Sequence, residues 1–122
     1  MAIKVKSQTV FVDFDEYEGD TLSMNFAYKE SLTGPLINLA GYTAKMDIRV
    51  STDTAPLLTL TSSSGIDLTG LVNNIVVTLT PSQTKTTLGV GDFIYDIEMT
   101  DTLTKVNTLI SGKIKIKQSV TQ

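Results

Sequence analysis

Apolar and polar residues alternate along much of this chain, and the alternation is most regular between positions 91 and 100. Phe93, Tyr95, Ile97 and Met99 occupy every second position there. A period of two is typical of a β-strand that buries one face and exposes the other. Because two aromatic residues share the apolar face, we predict that this stretch is the central strand on which the others pair or pack.

The same period predicts strands before and after the central one. They cover residues 10–14, 22–28, 42–50, 57–61, 66–68, 75–79 and 108–116. Pro56 places the strand that follows it at a sheet edge, because proline has no N–H to donate to a ladder. The strands at 66–68 and 75–79 are close in sequence and are expected to form a hairpin.

One short segment carries the signals of a helix start. Thr80 can cap the helix, Pro81 suits its first position, and Gln83 stands where a capping box needs it. We therefore predict one or two helical turns over Pro81–Thr87, directly before the central strand.

Short strands separated by turns, with a helical turn before the penultimate strand, indicate a Greek-key β-sandwich. The expected fold is all-β, an immunoglobulin-like sandwich of about seven to nine strands. With 122 residues the chain is expected to form a single domain, 1–122. Residues 1–9 are interpreted either as an extended N-terminal arm or as an edge strand of the same sandwich, and 118–122 as a polar tail.

Composition excludes several kinds of chemistry. The chain has no cysteine and no histidine, which rules out disulfides, thiolate nucleophiles, the usual zinc sites and histidine acid–base catalysis. Its formal net charge of -3 offers no basic footprint for nucleic acid. No apolar run reaches the roughly 18 residues needed to span a bilayer, and the first residues do not read as a secretory signal.

The acidic stretch Asp13–Asp20 is the best candidate for a metal site. It holds five carboxylates in eight residues, so we predict a loop from about Asp15 to Asp20. The spacing differs from that of an EF-hand, because Tyr17 and Glu18 stand at its fifth and sixth positions. A solvated loop and a partner-contacting loop are both favoured over calcium binding, and neither a metal nor a cofactor is expected.

The polar face of the predicted sheet carries ordered charge. Its members are Lys45, Asp47 and Arg49 on one strand, Asp96 and Glu98 on the central strand, and Lys113, Lys115 and Lys117 on the last strand. A solvated face with paired charges and an interface or ligand face both fit this pattern. The lysine row also suits an exposed edge strand. Asp96 and Glu98 are expected to be ion-paired rather than catalytic, and no enzymatic activity is predicted.

Several stretches, in this order and spacing, resemble small β-sandwich proteins encoded among the virion genes of tailed bacteriophages. They are Tyr42–Arg49, Leu57–Ser62, Val77–Thr80, Phe93–Glu98 and Leu109–Ile114. The N-terminal domain of phage upper baseplate proteins is a related type. The resemblance runs from about Leu22 to Thr121, and it departs in the last turn, where many such proteins have glycine and this chain has Leu103-Thr104.

The resemblance implies a structural, non-enzymatic virion component, an adaptor in the tail, neck or baseplate, or at a fibre attachment. Its partners would be other virion proteins, in a symmetric and multi-copy assembly, with no nucleic acid and no membrane. Capsid decoration and a host-surface or carbohydrate-binding module are the alternatives, and a hydrolase using carboxylates is least favoured. The residues proposed for partner contacts are Ile3, Val5, Asp15, Glu16, Tyr17 and Glu18.

Overall fold

The computed structural model describes residues 2–4 and 9–121, with the backbone alone for residues 3 and 4. The strands are β1 (Ala2–Lys4), β2 (Val10–Phe11), β3 (Phe14–Tyr17), β4 (Leu22–Lys29), β5 (Thr43–Arg49), β6 (Leu58–Thr61), β7 (Ile66–Asp67), β8 (Ile75–Leu79), β9 (Gly91–Thr100) and β10 (Val106–Lys117). One helical segment, Gln83–Leu88, connects β8 to β9. The all-β prediction is confirmed.

The strands form two sheets. One has the order β1-β4-β8-β7, and the other has the order β2-β10-β9-β5-β6, with β3 also pairing with β10. The predicted central strand is confirmed, because β9 lies between β10 and β5 and pairs with both. The predicted hairpin of β7 with β8 and the edge position of β6 are confirmed as well.

The apolar faces of the two sheets enclose one hydrophobic core. Its fully buried side chains include Met24 and Phe26 of β4, Met46 of β5, and Ile97 of β9. Aromatic contacts join the sheets, since the Phe14 ring packs edge-on against Phe26 at 6.2 Å between centroids. The alternation in the sequence therefore identified the faces that the fold buries.

The helical segment is capped as the sequence predicts. Thr80 Oγ1 accepts from the Gln83 N–H at 3.2 Å, and Gln83 Oε1 accepts from the Thr80 N–H at 2.8 Å. Thr84 is fully buried and ties the segment to the turn before β4. Its hydroxyl donates to the Asp20 carbonyl at 2.8 Å and accepts the Gly19 N–H at 3.0 Å.

The last turn, between β9 and β10, contains no glycine and is stabilised by a side chain instead. Thr104 adopts a positive φ of 65°, a backbone conformation that residues other than glycine adopt rarely. The Asp101 carboxylate stabilises the turn by accepting the N–H groups of Leu103 and Lys105, both at 2.9 Å. The side chain of Asp101 thus supports backbone geometry that glycine would adopt without help.

The predicted loop from Asp15 is wrong at its start. Phe14–Tyr17 forms β3, which runs parallel to β10, and only residues 18–20 form a turn. The prediction considered the number of carboxylates and overlooked the alternation of the side chains. Phe14 points towards the core, while Asp15 and Tyr17 face outwards. Outward carboxylates do not disturb a strand when lysines stand beside them, as Lys115 does beside Asp15.

Three details of strand placement also differ from the predictions. The lysine-bearing β10 is not an edge strand, because β2 and β3 cover its outer side. A register shift after Thr108 buries both Leu109 and Ile110, whereas strict alternation places Leu109 on the polar face. At the N-terminus, Ala2–Lys4 pairs in parallel with β4, which favours the edge-strand interpretation over the free arm for these three residues.

Candidate functional site

The outer face of the six-stranded sheet contains an open cleft of about 610 Å³. Most of its lining residues are polar or charged, although apolar atoms provide most of the accessible lining surface, with apolar side chains at Phe11 and Ile94. The lining residues are Phe11, Asp13, Asp47, Arg49, Thr52, Ile94, Tyr95, Asp96, Ser111, Gly112 and Lys113. This is the polar face on which the sequence analysis places the charged residues of three neighbouring strands.

Strand register brings five of the outward residues into one row across the sheet. Thr59 stands opposite Asp47, Asp47 opposite Asp96, Asp96 opposite Ser111, and Ser111 opposite Phe11. Two carboxylates are therefore direct cross-strand neighbours, an arrangement that destabilises a sheet unless cations compensate it. The sequence alone does not show this juxtaposition, because it depends on the register between β5 and β9.

Among the described residues, direct hydrogen bonds and ion pairs reach the side chain of only one of the two carboxylates. Asp47 accepts the Thr59 hydroxyl at 2.6 Å and lies 3.5 Å from Arg49 and 3.9 Å from Lys45. The Asp96 carboxylate accepts no hydrogen bond and forms no ion pair within the part of the chain that the structure describes. The expectation that Asp96 is ion-paired is therefore wrong.

The electrostatic consequence is visible at Asp96. Partial burial raises the pKa of its carboxyl, and the neighbouring Asp47 raises it further. Arg49 and Lys45 act in the opposite direction without reversing the shift. Asp96 thus holds a charge that its surroundings do not fully neutralise.

The far wall of the cleft is built where β2 breaks before β3. Both strands pair with β10 in one continuous register, so they form a single strand interrupted at Val12 and Asp13. Asp13 Oδ1 accepts the Lys113 N–H at 2.9 Å, in place of a backbone carbonyl. The interruption directs Asp13 into the cleft and leaves Phe11 on its rim. Phe11 is 76% exposed.

The residues predicted for partner contacts do not gather at this cleft. Asp15, Glu16 and Tyr17 lie on β3, farther along the same edge of the sheet. The Lys117 ammonium lies 4.4 Å from the centroid of the Tyr17 ring, and Glu18 donates its N–H to the Lys117 carbonyl at 2.9 Å. Ile3 is on β1 in the other sheet, and Val5 lies outside the described residues.

A second surface, which the sequence analysis missed, is an end of the molecule formed by three loops. Phe26 stands opposite Ile75, so the loop 30–42 after β4 meets the loop 68–74 before β8. Thr43 stands opposite Thr100, which brings the loop 101–105 to the same end. We call this surface the loop end.

Asn74 fastens two of these loops together. Its buried side-chain amide donates to the carbonyl oxygens of Tyr28 and Ile37, both at 3.0 Å, and its Oδ1 accepts the Tyr28 N–H at 2.7 Å. Beside it the loops line a mostly aliphatic cleft of about 410 Å³. The loop end is therefore a shaped surface supported by a buried hydrogen-bond network.

Aliphatic side chains project from the loop end. Leu71 is 91% exposed and Leu103 is 84% exposed, and Leu32 and Val72 of the same three loops are exposed as well. The signal in the sequence is weak but present, because Leu71-Val72 stands inside a turn between Gly70 and Asn73, where polar residues are usual.

Two further observations bear on the kinds of site present. Among residues 2–4 and 9–121, no group of three or more acidic residues is arranged to hold a metal ion. No helix in the same part of the chain is long and apolar enough to cross a membrane.

Comparisons with known proteins add no further assignment. No protein-family model matches the chain, and no curated protein matches it either. A function therefore has to be inferred from the chain's own residues and from the two surfaces described above.

Proposed function

We propose that this protein is a non-enzymatic structural or adaptor subunit of a tailed-bacteriophage virion, which acts through protein–protein contacts in a symmetric assembly. The sequence resemblance from Leu22 to Thr121 motivates the proposal, and the two-sheet all-β architecture is compatible with it. The loop end supports the protein-contact part of the proposal, because exposed aliphatic side chains project there from three separate loops at one end of the molecule.

We also propose that the sandwich is immunoglobulin-like. In an immunoglobulin-like domain, strands A, B, E and D form one sheet and strands G, F and C form the other, with C′ beside C in the variable type. Here β1-β4-β8-β7 and β10-β9-β5-β6 follow these orders, and a helical segment precedes β9. The parallel pairing of β1 with β4 departs from the scheme.

In that scheme the loop end consists of the B–C, D–E and F–G loops. Loops at one end of a sandwich are frequent sites of recognition, because a rigid scaffold positions them. Exposed apolar surface supports a protein partner, since soluble proteins seldom leave large apolar patches in water. The loop end, rather than the acidic stretch, is therefore the contact surface we assign to a neighbouring subunit.

Mass spectrometry of purified particles of the phage that encodes the chain tests the virion part of the proposal. The protein should be present in stoichiometric amounts, and a particle map should show the loop end against another subunit. Absence from clean particles would contradict the virion role. A map in which the domain projects outwards, with the loop end free, would favour the host-surface or decoration alternatives.

Complementation tests the contact surface separately. A Leu71→Ser, Leu103→Ser double variant should fold as the wild type does, because both side chains are exposed, yet it should enter particles poorly. Val120→Ser is the matched control, since Val120 is 99% exposed in the C-terminal tail, away from the loops. Equal incorporation of the double variant and the control would count against the loop end.

A further inference from the structure

Among the described residues, the Asp96 carboxylate of the outer-face cleft has no hydrogen-bond or ion-pair partner. Asp96 stands directly opposite Asp47, and the hydrogen bonds and ion pairs described for this pair of carboxylates all go to Asp47. Asp96 is only partly exposed, so water compensates its charge incompletely. The side chain faces the open volume of the cleft, where a ligand can reach it.

An exposed aromatic ring stands at the other end of the same row. Phe11 is separated from Asp96 by Ser111 alone, because Ser111 pairs with both. Two strand spacings place the backbones of Phe11 and Asp96 about 10 Å apart. The short serine side chain between them donates to the Tyr95 carbonyl at 3.3 Å, which leaves the space above it open.

The cations already in the cleft do not pair with Asp96. Arg49 Nη1 donates to the Thr54 carbonyl at 2.6 Å, and its Nη2 lies 3.5 Å from Asp47. Lys113 forms no ion pair with the described residues, although it borders the cleft. Neither cation is hydrogen-bonded or ion-paired to Asp96, so its carboxylate remains available to a cation of a partner.

We propose that the cleft receives an arginine side chain of a partner protein, with its guanidinium between the Asp96 carboxylate and the Phe11 ring. A guanidinium is planar, binds a carboxylate through two parallel N–H groups and stacks on aromatic rings. A lysine ammonium is a compact, strongly hydrated charge, which makes poorer use of the ring. Charge complementarity selects a cation, and the ring selects arginine over lysine.

This inference is independent of the virion role, because it concerns a different face and is tested on the purified protein. Nα-acetyl-L-argininamide is the probe, titrated at constant ionic strength while backbone amide shifts are followed by NMR. Saturable shifts should centre on Asp96, Ser111 and Phe11, with a Kd on the order of 1 mM, as expected for one side chain. Nα-acetyl-citrullinamide, which has nearly the same shape without the charge, should leave these amides unmoved.

Variants separate the cleft from nonspecific attraction. Asp96→Asn should weaken binding by about tenfold, and Phe11→Ala by about threefold, as loss of an ion pair and of a cation–π contact would. Lys113→Gln should tighten binding, because it removes a competing positive charge. Glu98→Gln is the matched control on the same strand and face, and it should bind as the wild type does.

Three results would overturn the proposal. They are shifts that grow linearly without saturation, equal binding of the citrulline probe, and equal affinity of the Asp96→Asn and Glu98→Gln variants. Because Phe11 is exposed, Phe11→Ala should keep the fold, and unchanged affinity in that variant would remove the aromatic part of the site.

Discussion

The phenolic hydroxyl of Tyr95 donates to the backbone carbonyl of Val12 at 2.7 Å, between residues 83 positions apart in sequence. The interruption between β2 and β3 turns this carbonyl away from the ladder, and Gly112 gives it room. A Cβ at Gly112 would overlap the Val12 oxygen. The buried tyrosine thus satisfies an acceptor that the break in the strand creates.

Truncation of Tyr95 should be among the most damaging single changes. Tyr95→Ala removes a buried aromatic side chain and should lower the free energy of unfolding by about 3–5 kcal/mol. Tyr95→Phe keeps the ring and leaves the Val12 carbonyl unpaired, which should cost about 1–3 kcal/mol. Urea denaturation measures both. Tyr17→Phe is the control at an exposed ring, and a Tyr95→Phe loss no larger than the control's would refute the role of the hydroxyl.

Gly112→Ala should prevent native pairing of β2 with β10. Only a hydrogen at this position leaves room for the Val12 carbonyl, and the obstacle is backbone that cannot swing aside. We expect a loss of several kcal/mol or failure to fold, against about 1 kcal/mol or less for the neighbouring outward change Ser111→Ala, which removes one hydrogen bond to the Tyr95 carbonyl. Thermal melting of both variants measures the difference. A Gly112→Ala protein as stable as the Ser111→Ala protein would contradict the close approach of the Val12 carbonyl to Gly112.

Thr84→Val should loosen the helical segment from the turn before β4. The change keeps the buried volume but leaves the Gly19 N–H and the Asp20 carbonyl without the Thr84 hydroxyl, at a cost of about 1–3 kcal/mol. Thr86→Val is the control, since Thr86 is exposed on the same segment. Amide hydrogen exchange at Gly19 should accelerate in the first variant alone; unchanged protection there would contradict the assignment.

Asp96 should weaken the fold at neutral pH. Because the pKa of Asp96 is raised in the folded state, its ionised form is disfavoured on folding. The unfavourable contribution is present above the folded pKa and disappears as pH falls towards the ordinary value of about 3.9. Asp96→Asn should therefore be more stable than wild type at pH 7, and the difference should vanish near pH 3.

Urea titrations at pH 7 and pH 3 measure this difference. Glu98→Gln should gain nothing at pH 7, because Glu98 stands opposite Lys45 rather than opposite a carboxylate. A stability gain for Asp96→Asn that is equal at the two pH values would rule out the electrostatic explanation.

Chelation should leave the protein unchanged. No described group of acidic residues is arranged for a metal, and Asp13 already accepts a backbone N–H. The melting temperature should be the same with EDTA and with added calcium. A clear drop in EDTA would restore calcium binding by the acidic stretch.

The sequence by itself determined most of the residues that face the core and the capping box of the helical segment. Alternation of apolar residues identified β4, β5 and β9, because side chains of a strand point to opposite faces whatever its partners are. The capping box at Thr80 and Gln83 was equally readable, since both hydrogen bonds lie within four residues. Local geometry suffices for features of this kind.

Only the tertiary structure decided which residues meet across strands. The Asp47–Asp96 pair, the row that ends at Phe11, and the position of Leu71 and Leu103 at the same end of the molecule all depend on register between segments distant in sequence. β3 was misjudged for the same reason: Asp15 stands beside Lys115 of β10, a pairing that the sequence of β3 does not reveal. Pairing between distant strands is selected because it buries the whole core and satisfies the backbone hydrogen bonds of both sheets. A local sequence pattern does not contain this information.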